Sequence, residues 1–257
     1  MIALFDSGLG GLSLLREVRT RLPQHDLAYV ADSAYCPYGP KSIDLVRARS
    51  LAIGGSLERS GVDALVVACN SAVAAGALEV LRASCSIPII GIEPGIRPAV
   101  AATKSGVVGV LATACTASSN RLVSLVERFA DGIDVVTQPC PGLVEQVEAG
   151  AIETPPTREL VGRYLDPLLA RGADVIVLGC THYPFLRSLI ERAAPHATIV
   201  DPGPAVARQV ARVVSEIGIE AGRAVVSYAT TGDPARVQPV LRVLAADPGA
   251  IVSRADA

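Results

Sequence analysis

Cys69 closes the apolar run VDALVVAC and is followed by Asn-Ser-Ala-Val; Cys180 closes ADVIVLGC and is followed by Thr-His-Tyr-Pro. The two stretches overlay without a gap. Gly61 falls on Gly172, Asp63 on Asp174, Val66 on Val177 and Cys69 on Cys180, 111 residues apart throughout. One buried strand ending in cysteine is ordinary, because an unpaired cysteine behaves as a small hydrophobe. A matched pair raises the question of what two opposed thiols would do. One thiolate can take a proton from one face of a carbon while a thiol delivers a proton to the other face, which inverts the centre. Groups of one kind suit a reaction in which each is the acid in one direction and the base in the other. A thiol suits this work when its pKa falls from about 8.5 toward neutrality. NSAV and THYP are expected to open helices whose N-termini would favour the thiolates.

The elements that must position these thiols follow from hydrophobic patterning. Short apolar runs recur as IALFD, LAYVAD, ALVVAC, IPIIGI, GVVGVLAT, IDVVTQP, VIVLGC, ATIVD and AVVSYATTG. They lack the alternation of a half-exposed strand and read as strands buried on both faces, the parallel-sheet pattern. Helical stretches lie between them at 12–22, 43–60, 71–83, 120–130, 159–171, 184–194 and 204–217. Alternating strand and helix implies an α/β fold with right-handed crossovers. IALFDSG near the start resembles GVLATAC at 109–115, which brings Asp6 opposite Thr113. The chain is thus expected to form two pseudo-symmetric lobes, each a mostly parallel sheet flanked by helices. The first lobe is expected at 1–95 plus 211–257 and the second at 96–210. Ligands of open α/β sheets bind beyond the carboxyl ends of the strands, which places Cys69 and Cys180 on opposite sides of one cleft.

Composition narrows the alternatives. The chain has 257 residues, half of them hydrophobic, enough for a sizeable core. Net charge is −2 and the arginines are scattered, which argues against nucleic acid as a partner, since phosphate neutralisation needs clustered cations. No run of 18 apolar residues exists to span a membrane. Six cysteines without a CxxC pair or a signal peptide suggest reduced thiols in the cytoplasm rather than a disulfide framework or a zinc site. Cys36, Cys85, Cys115 and Cys140 read as packing residues. Pyridoxal phosphate would need a Schiff-base lysine, and the only lysines, Lys41 and Lys104, lie beside turn signals. DSGLGG could be an anion-binding turn, but Ser13 occupies the last glycine position of the dinucleotide fingerprint.

Five motifs in order, FDSGLGGL at 5–12, YVADSAYCPYG at 29–39, ACNSA at 68–72, GCTHYP at 179–184 and TTGDP at 230–234, resemble the glutamate racemase family over nearly the whole chain. The resemblance implies a cofactor-independent enzyme that interconverts L- and D-glutamate and supplies D-glutamate for peptidoglycan. It also implies a homodimer. It assigns Cys69 to the D-enantiomer and Cys180 to the L-enantiomer, with Asp6, His182 and Glu148 assisting. Asp6 and Ser7, Tyr38 and Gly39 of a closing loop, Asn70 and Ser71, and Thr181 and His182 are implied as substrate contacts. Thr113 and Thr116 match threonines that hold the side-chain carboxylate. Ser71 stands where the family has threonine. Members activated by a cell-wall precursor carry an extension before the first strand, so that control is not expected here.

Other readings share some of these features. Racemases of aspartate or hydantoin and maleate isomerases also use two-cysteine lobes. A two-lobed amino-acid binding protein would share the architecture, but it needs no opposed cysteines. Asp6 could serve only as a helix cap, and His182 only to cap its helix.

Overall fold

The computed structural model describes residues 1–256. Among the described residues ten strands form in chain order: β1 (Ile2–Asp6), β2 (Leu27–Ala31), β3 (Ala64–Val67), β4 (Ile89–Gly91), β5 (Val107–Ala112), β6 (Asp134–Pro139), β7 (Val175–Gly179), β8 (Thr198–Val200), β9 (Val226–Thr230) and β10 (Val252–Arg254). They build two sheets. One runs β10-β9-β2-β1-β3-β4 and the other β6-β5-β7-β8, and every pairing is parallel. Each sheet contains the same four-strand pattern, with its second strand, first, third and fourth in line. The sequence repeat is therefore a structural one: β1 corresponds to β5, and β3 to β7. Each expected run forms a strand. β10 lies outside that set, being three residues long and at a sheet edge, too short to signal itself.

The strands are apolar because both faces are covered. All residues of β1, β2, β3 and β7 are buried. The helix Leu12–Arg21 contributes Leu12, Leu14, Leu15 and Val18 to the core, each worth about 1.5–3 kcal/mol of burial. It packs on the helix Gly203–Ile217, which runs through position 210. Ser42 caps Ile43–Arg59 by accepting from the Leu45 amide, and Asp233 caps Pro234–Leu244 through Ala235. Gly61 and Gly172 both adopt left-handed conformations, with φ of +79° and +85°, and turn the chain into the two cysteine strands. The matched aspartates sit at the opposite ends of those strands from the thiols. The Asp63 amide donates to the Met1 carbonyl, and the Asp174 amide to the Val107 carbonyl.

Two expected helices differ. The stretch 71–83 breaks into Asn70–Ala74 and Ala77–Ser84. The stretch 184–194 begins as a 3-10 turn, Tyr183–Leu186, before the α-helix Arg187–Ala193. The consequence for the thiols is unequal. Cys69 is itself the N-cap of its helix, and its Sγ accepts from the Ala72 amide at 3.4 Å. Cys180 is followed by Thr181 and His182 and no α-helix N-terminus, so the helix assistance expected at both thiols exists only at Cys69.

Candidate active site

The carboxyl ends of β1 and β3 in one lobe and of β5 and β7 in the other meet around a narrow cavity. Ser7, Tyr38, Gly39, Cys69, Asn70 and Ser71 line it from the first lobe, and Thr113, Val144, Cys180, Thr181 and His182 from the second. Its free volume is about 10 Å³, room for about one water, so it is a narrow slot between the lobes. Cys69 and Cys180 are 4% and 5% exposed.

The surroundings of Cys69 come mainly from the first lobe. Its thiol donates to Ser7 Oγ at 3.5 Å. Ser7 in turn lies 3.3 Å from Asp6 Oδ1, which also accepts from the Gly8 amide at 2.9 Å. Burial pushes the Asp6 carboxyl up, against the pull of His182, the Gly8 amide and the Thr181 hydroxyl. Burial, reinforced by the nearby Asp6, likewise pushes the Cys69 thiol up, and the Ser7 hydroxyl and Ala72 amide only partly oppose it. Burial thus favours Cys69 as a thiol, with the Ser7 hydroxyl between it and the Asp6 carboxyl group.

Cys180 has a different partner set. Its Sγ lies 3.7 Å from His182 Nδ1, and His182 Nε2 lies 2.6 Å from Glu148 Oε1. The same Glu148 oxygen accepts from the Leu9 amide of the first lobe at 2.6 Å. Burial lowers the His182 pKa, but the hydrogen bonds to Cys180 and Glu148 outweigh it and hold the imidazole well above its ordinary value. Burial raises Glu148, and the His182 bond, its charge and the Leu9 amide reverse that and keep the carboxylate low. The bonding pattern puts a proton on Nε2, directed at Glu148, and leaves Nδ1 to exchange one with Cys180.

The remaining residues of the cavity show where a ligand would bind. Neither atom of the Asn70 side-chain amide has a partner, although the residue is buried. Buried amides are normally hydrogen-bonded, so Asn70 is placed to hold a polar ligand. Ser71 Oγ meets Thr113 Oγ1 at 2.9 Å across the lobes, and Thr113 meets Thr116 at 3.1 Å. The Tyr38 hydroxyl points away from the cavity and donates to Asp32 Oδ2 at 2.5 Å. Tyr38 thus presents its ring to the cavity. Asp6, Glu148 and Thr116 stand behind the lining rather than in it.

The glycines of DSGLGG have a steric reason. A Cβ at Gly8 would lie 2.2 Å from Glu148 Oε1, and one at Gly10 would lie 2.3 Å from His182 Nδ1. Bare backbone there lets the first lobe press against the acid–base groups of the second. Three neighbours escaped the sequence reading, the first being Pro37 in the cavity wall. Val144 lies on the helix Leu143–Glu148, and nothing distinguishes it in sequence from an ordinary core residue. Cys36 was read as packing, but its sulfur lies within 4.8 Å of donor atoms of both Glu148 and His182. Those three are the residues that could hold a metal among the described residues. The His182–Glu148 contact of 2.6 Å is a hydrogen bond, shorter than the roughly 3.3 Å separating two ligands on one tetrahedral zinc.

Two parallel-sheet lobes closing on a pair of buried thiols define a two-lobed α/β enzyme of the racemase type. The model for the Asp/Glu/hydantoin racemase family matches residues 12–210. Glutamate racemase of Ectopseudomonas mendocina is 49% identical over 246 residues, covering 95% of this chain and 94% of the relative. Among solved structures, glutamate racemase isoform RacE1 from Bacillus anthracis is similar with a TM-score of 0.87 at 32% identity, covering 100% of this chain and 97% of that one. The Escherichia coli glutamate racemase, solved with L-glutamate and the activator UDP-MurNAc-ala, gives 0.86 at 30% identity, covering 98% and 97%. The chain belongs to the Asp/Glu/hydantoin racemase family, and its place there is among the glutamate racemases, which are isomerases.

Proposed function

We propose that the chain interconverts L- and D-glutamate by proton transfer between Cys69 and Cys180, with no cofactor. The observation that carries this reading is that both thiols line one narrow cavity, at corresponding positions of two similar sheets. From L-glutamate, the Cys180 sulfur takes the α-proton in the ion-paired form in which the thiol hydrogen already sits on His182 Nδ1. The C–H electron pair stays on the α-carbon, and the Cys69 thiol then delivers its hydrogen to the opposite face. From D-glutamate, Cys69 is the base, with Asp6 taking its proton, and Cys180 is the acid. Asn70, Ser71 and Thr181 hold the polar groups of the α-carbon. Thr113, with Thr116 behind it, receives the side-chain carboxylate. Glu148 and Asp6 act from the second layer, through His182 and the thiols.

The lobe division proposed here follows the two sheets, with the return to the first lobe beginning at the helix Gly203–Ile217 rather than inside it. The protein is proposed to work as a cytoplasmic homodimer that supplies D-glutamate to peptidoglycan synthesis. No helix among the described residues is long and apolar enough to cross a membrane.

Optical rotation or chiral chromatography, with L- and D-glutamate supplied separately and no additive, tests the reading. Each enantiomer should reach an equal mixture. Aspartate, one methylene shorter, should react far more slowly; a preference for aspartate would overturn the assignment of substrate.

A further inference from the structure

The TTGDP motif at 230–234 takes no part in the site just described, and neither does Asp32, yet Asp32 is fully buried. Four contacts from three elements converge on its carboxylate. Oδ1 accepts from Arg49 Nη2 at 2.8 Å and from Thr231 Oγ1 at 2.7 Å. Oδ2 accepts from Arg49 Nε at 3.0 Å and from the Tyr38 hydroxyl at 2.5 Å. The backbone amide of Asp32 donates to the Asp6 carbonyl at 2.9 Å, which fixes this carboxylate against the end of β1.

The same partners also grip the segment 33–42. The Ala34 amide donates to Thr231 Oγ1 at 3.3 Å. The Arg49 guanidinium stacks 4.3 Å above the Tyr35 ring. A Cβ at Gly232 would lie 3.1 Å from the Ser33 Cβ, so glycine there lets the two loops touch. This segment carries Tyr38 and Gly39 into the cavity wall, where Gly39 faces Thr113 of the other lobe.

We propose that Asp32 is a positioning residue that, with Thr231 and Arg49, latches the Tyr38–Gly39 wall of the cavity in its substrate-binding position. The inference rests on the racemase reading for its kinetic consequence, not for its structural one. If the wall is held in place only part of the time, the apparent affinity for substrate falls by the fraction of time it is in place, while the rate from the closed complex is unchanged. Loosening the latch therefore raises KM and spares kcat. The equilibrium constant between enantiomers is fixed at one, so KM must rise equally for L- and D-glutamate.

Thr231→Val keeps the side-chain shape and removes one donor far from the substrate. Arg49→Lys keeps the charge and removes the paired guanidinium donation to Asp32. In each, KM for both enantiomers should rise about tenfold with kcat within about twofold of the wild type. The double variant should do less than the product of the two singles, because both donors share one acceptor. Asp32→Asn should be the most severe if it folds. Hydrogen exchange of the amides in 33–42 reads the latch without substrate, and should speed up in Thr231→Val while β1 and β3 stay protected. A wild type that does not racemise glutamate defeats the functional reading, and exchange still decides the latch. Unchanged exchange in Thr231→Val overturns the proposal. So does lower kcat with unchanged KM, the sign of a smaller folded fraction, or effects of the two substitutions that simply multiply.

Discussion

The Thr181 hydroxyl donates to the Asp6 carboxylate over 2.9 Å. Thr181 follows the second thiol and Asp6 ends the first strand, so the bond ties the Cys180 side of the cavity to a group that serves Cys69. The Leu9 amide on Glu148 and the Ser71–Thr113 contact cross the lobes in the same way. Each thiol therefore has assistance from the other lobe, and the acid–base machinery is complete only when both lobes are closed on each other.

Each direction of the reaction needs both thiols, one as base and the other as acid. Cys69→Ala and Cys180→Ala should each lower racemisation by at least about 10³-fold in both directions, the scale of removing an essential acid–base group. Cys85→Ala, half-exposed and outside the cavity, should leave the rate near wild type. A paired-position alanine variant that keeps a near wild-type rate would refute the two-thiol mechanism.

In heavy water the two faces separate cleanly. A thiol hydrogen exchanges with solvent while the site is empty, so product formed early should carry deuterium at the α-carbon. Remaining substrate should keep its original hydrogen, because the thiol on its own face holds the abstracted proton until product leaves. Proton NMR of both pools at low conversion decides the matter. A single base reaching both faces would label the substrate as well.

Glu148→Gln should destabilise the fold in a pH window set by its pairing with His182. The Glu148 pKa is lowered in the fold from 4.5, so its contribution is complete above 4.5 and fades as pH falls through the folded value. The His182 pKa is raised from 6.5, so its contribution is complete below 6.5 and fades as pH rises through the folded value. The loss should thus be greatest between those two values, about 1.5–3 kcal/mol, and smaller on either side. Denaturant midpoints of wild type and variant at about pH 3, 6 and 10 measure it. A loss constant across that range contradicts the charged pair.

Gly10→Ala places a methyl group 2.3 Å from His182 Nδ1 and 2.6 Å from Thr181 Oγ1, inside a packed site. It should cost about 1–3 kcal/mol and depress kcat by displacing His182. Gly162→Ala, within the helix Pro155–Ala170 and with nothing in reach of its Cβ, should be neutral or stabilising by up to about 1 kcal/mol. Thermal melts with parallel rate measurements compare them; equal behaviour of the two would remove the steric account of the glycine-rich loop.

Exhaustive dialysis against a chelator should leave racemisation intact. Glu148 and His182 are already engaged with each other at 2.6 Å, and both lysines are outside the cavity lining. Activity lost on dialysis and restored by a divalent metal or by pyridoxal phosphate would reverse this expectation.

Much of the molecule was legible in the chain. Apolar runs of strand length, spaced by helices, dictate parallel sheets because only strands covered on both faces read that way. The 111-residue match between the cysteine strands already contained the two-lobe plan, and Gly61 and Gly172 with it. The cavity was legible in part, since residues at the carboxyl ends of parallel strands converge by topology. What the sequence left open depends on contacts between residues distant in the chain. The Cys180–His182 pair is local, but its link to Glu148 and to the Leu9 amide forms only when the lobes close. Cys36 looked like packing because the acid–base groups near it, Glu148 and His182, are more than 100 residues away. The expected equivalence of the two thiols failed because Cys69 caps a helix and Cys180 precedes a 3-10 turn, a difference of backbone geometry that strand patterning does not encode. Asp32 carried no chemical signature in its own segment. Its four donor contacts come from a loop, a helix and the C-terminal return, and a buried carboxylate is stable only once folding has brought them together.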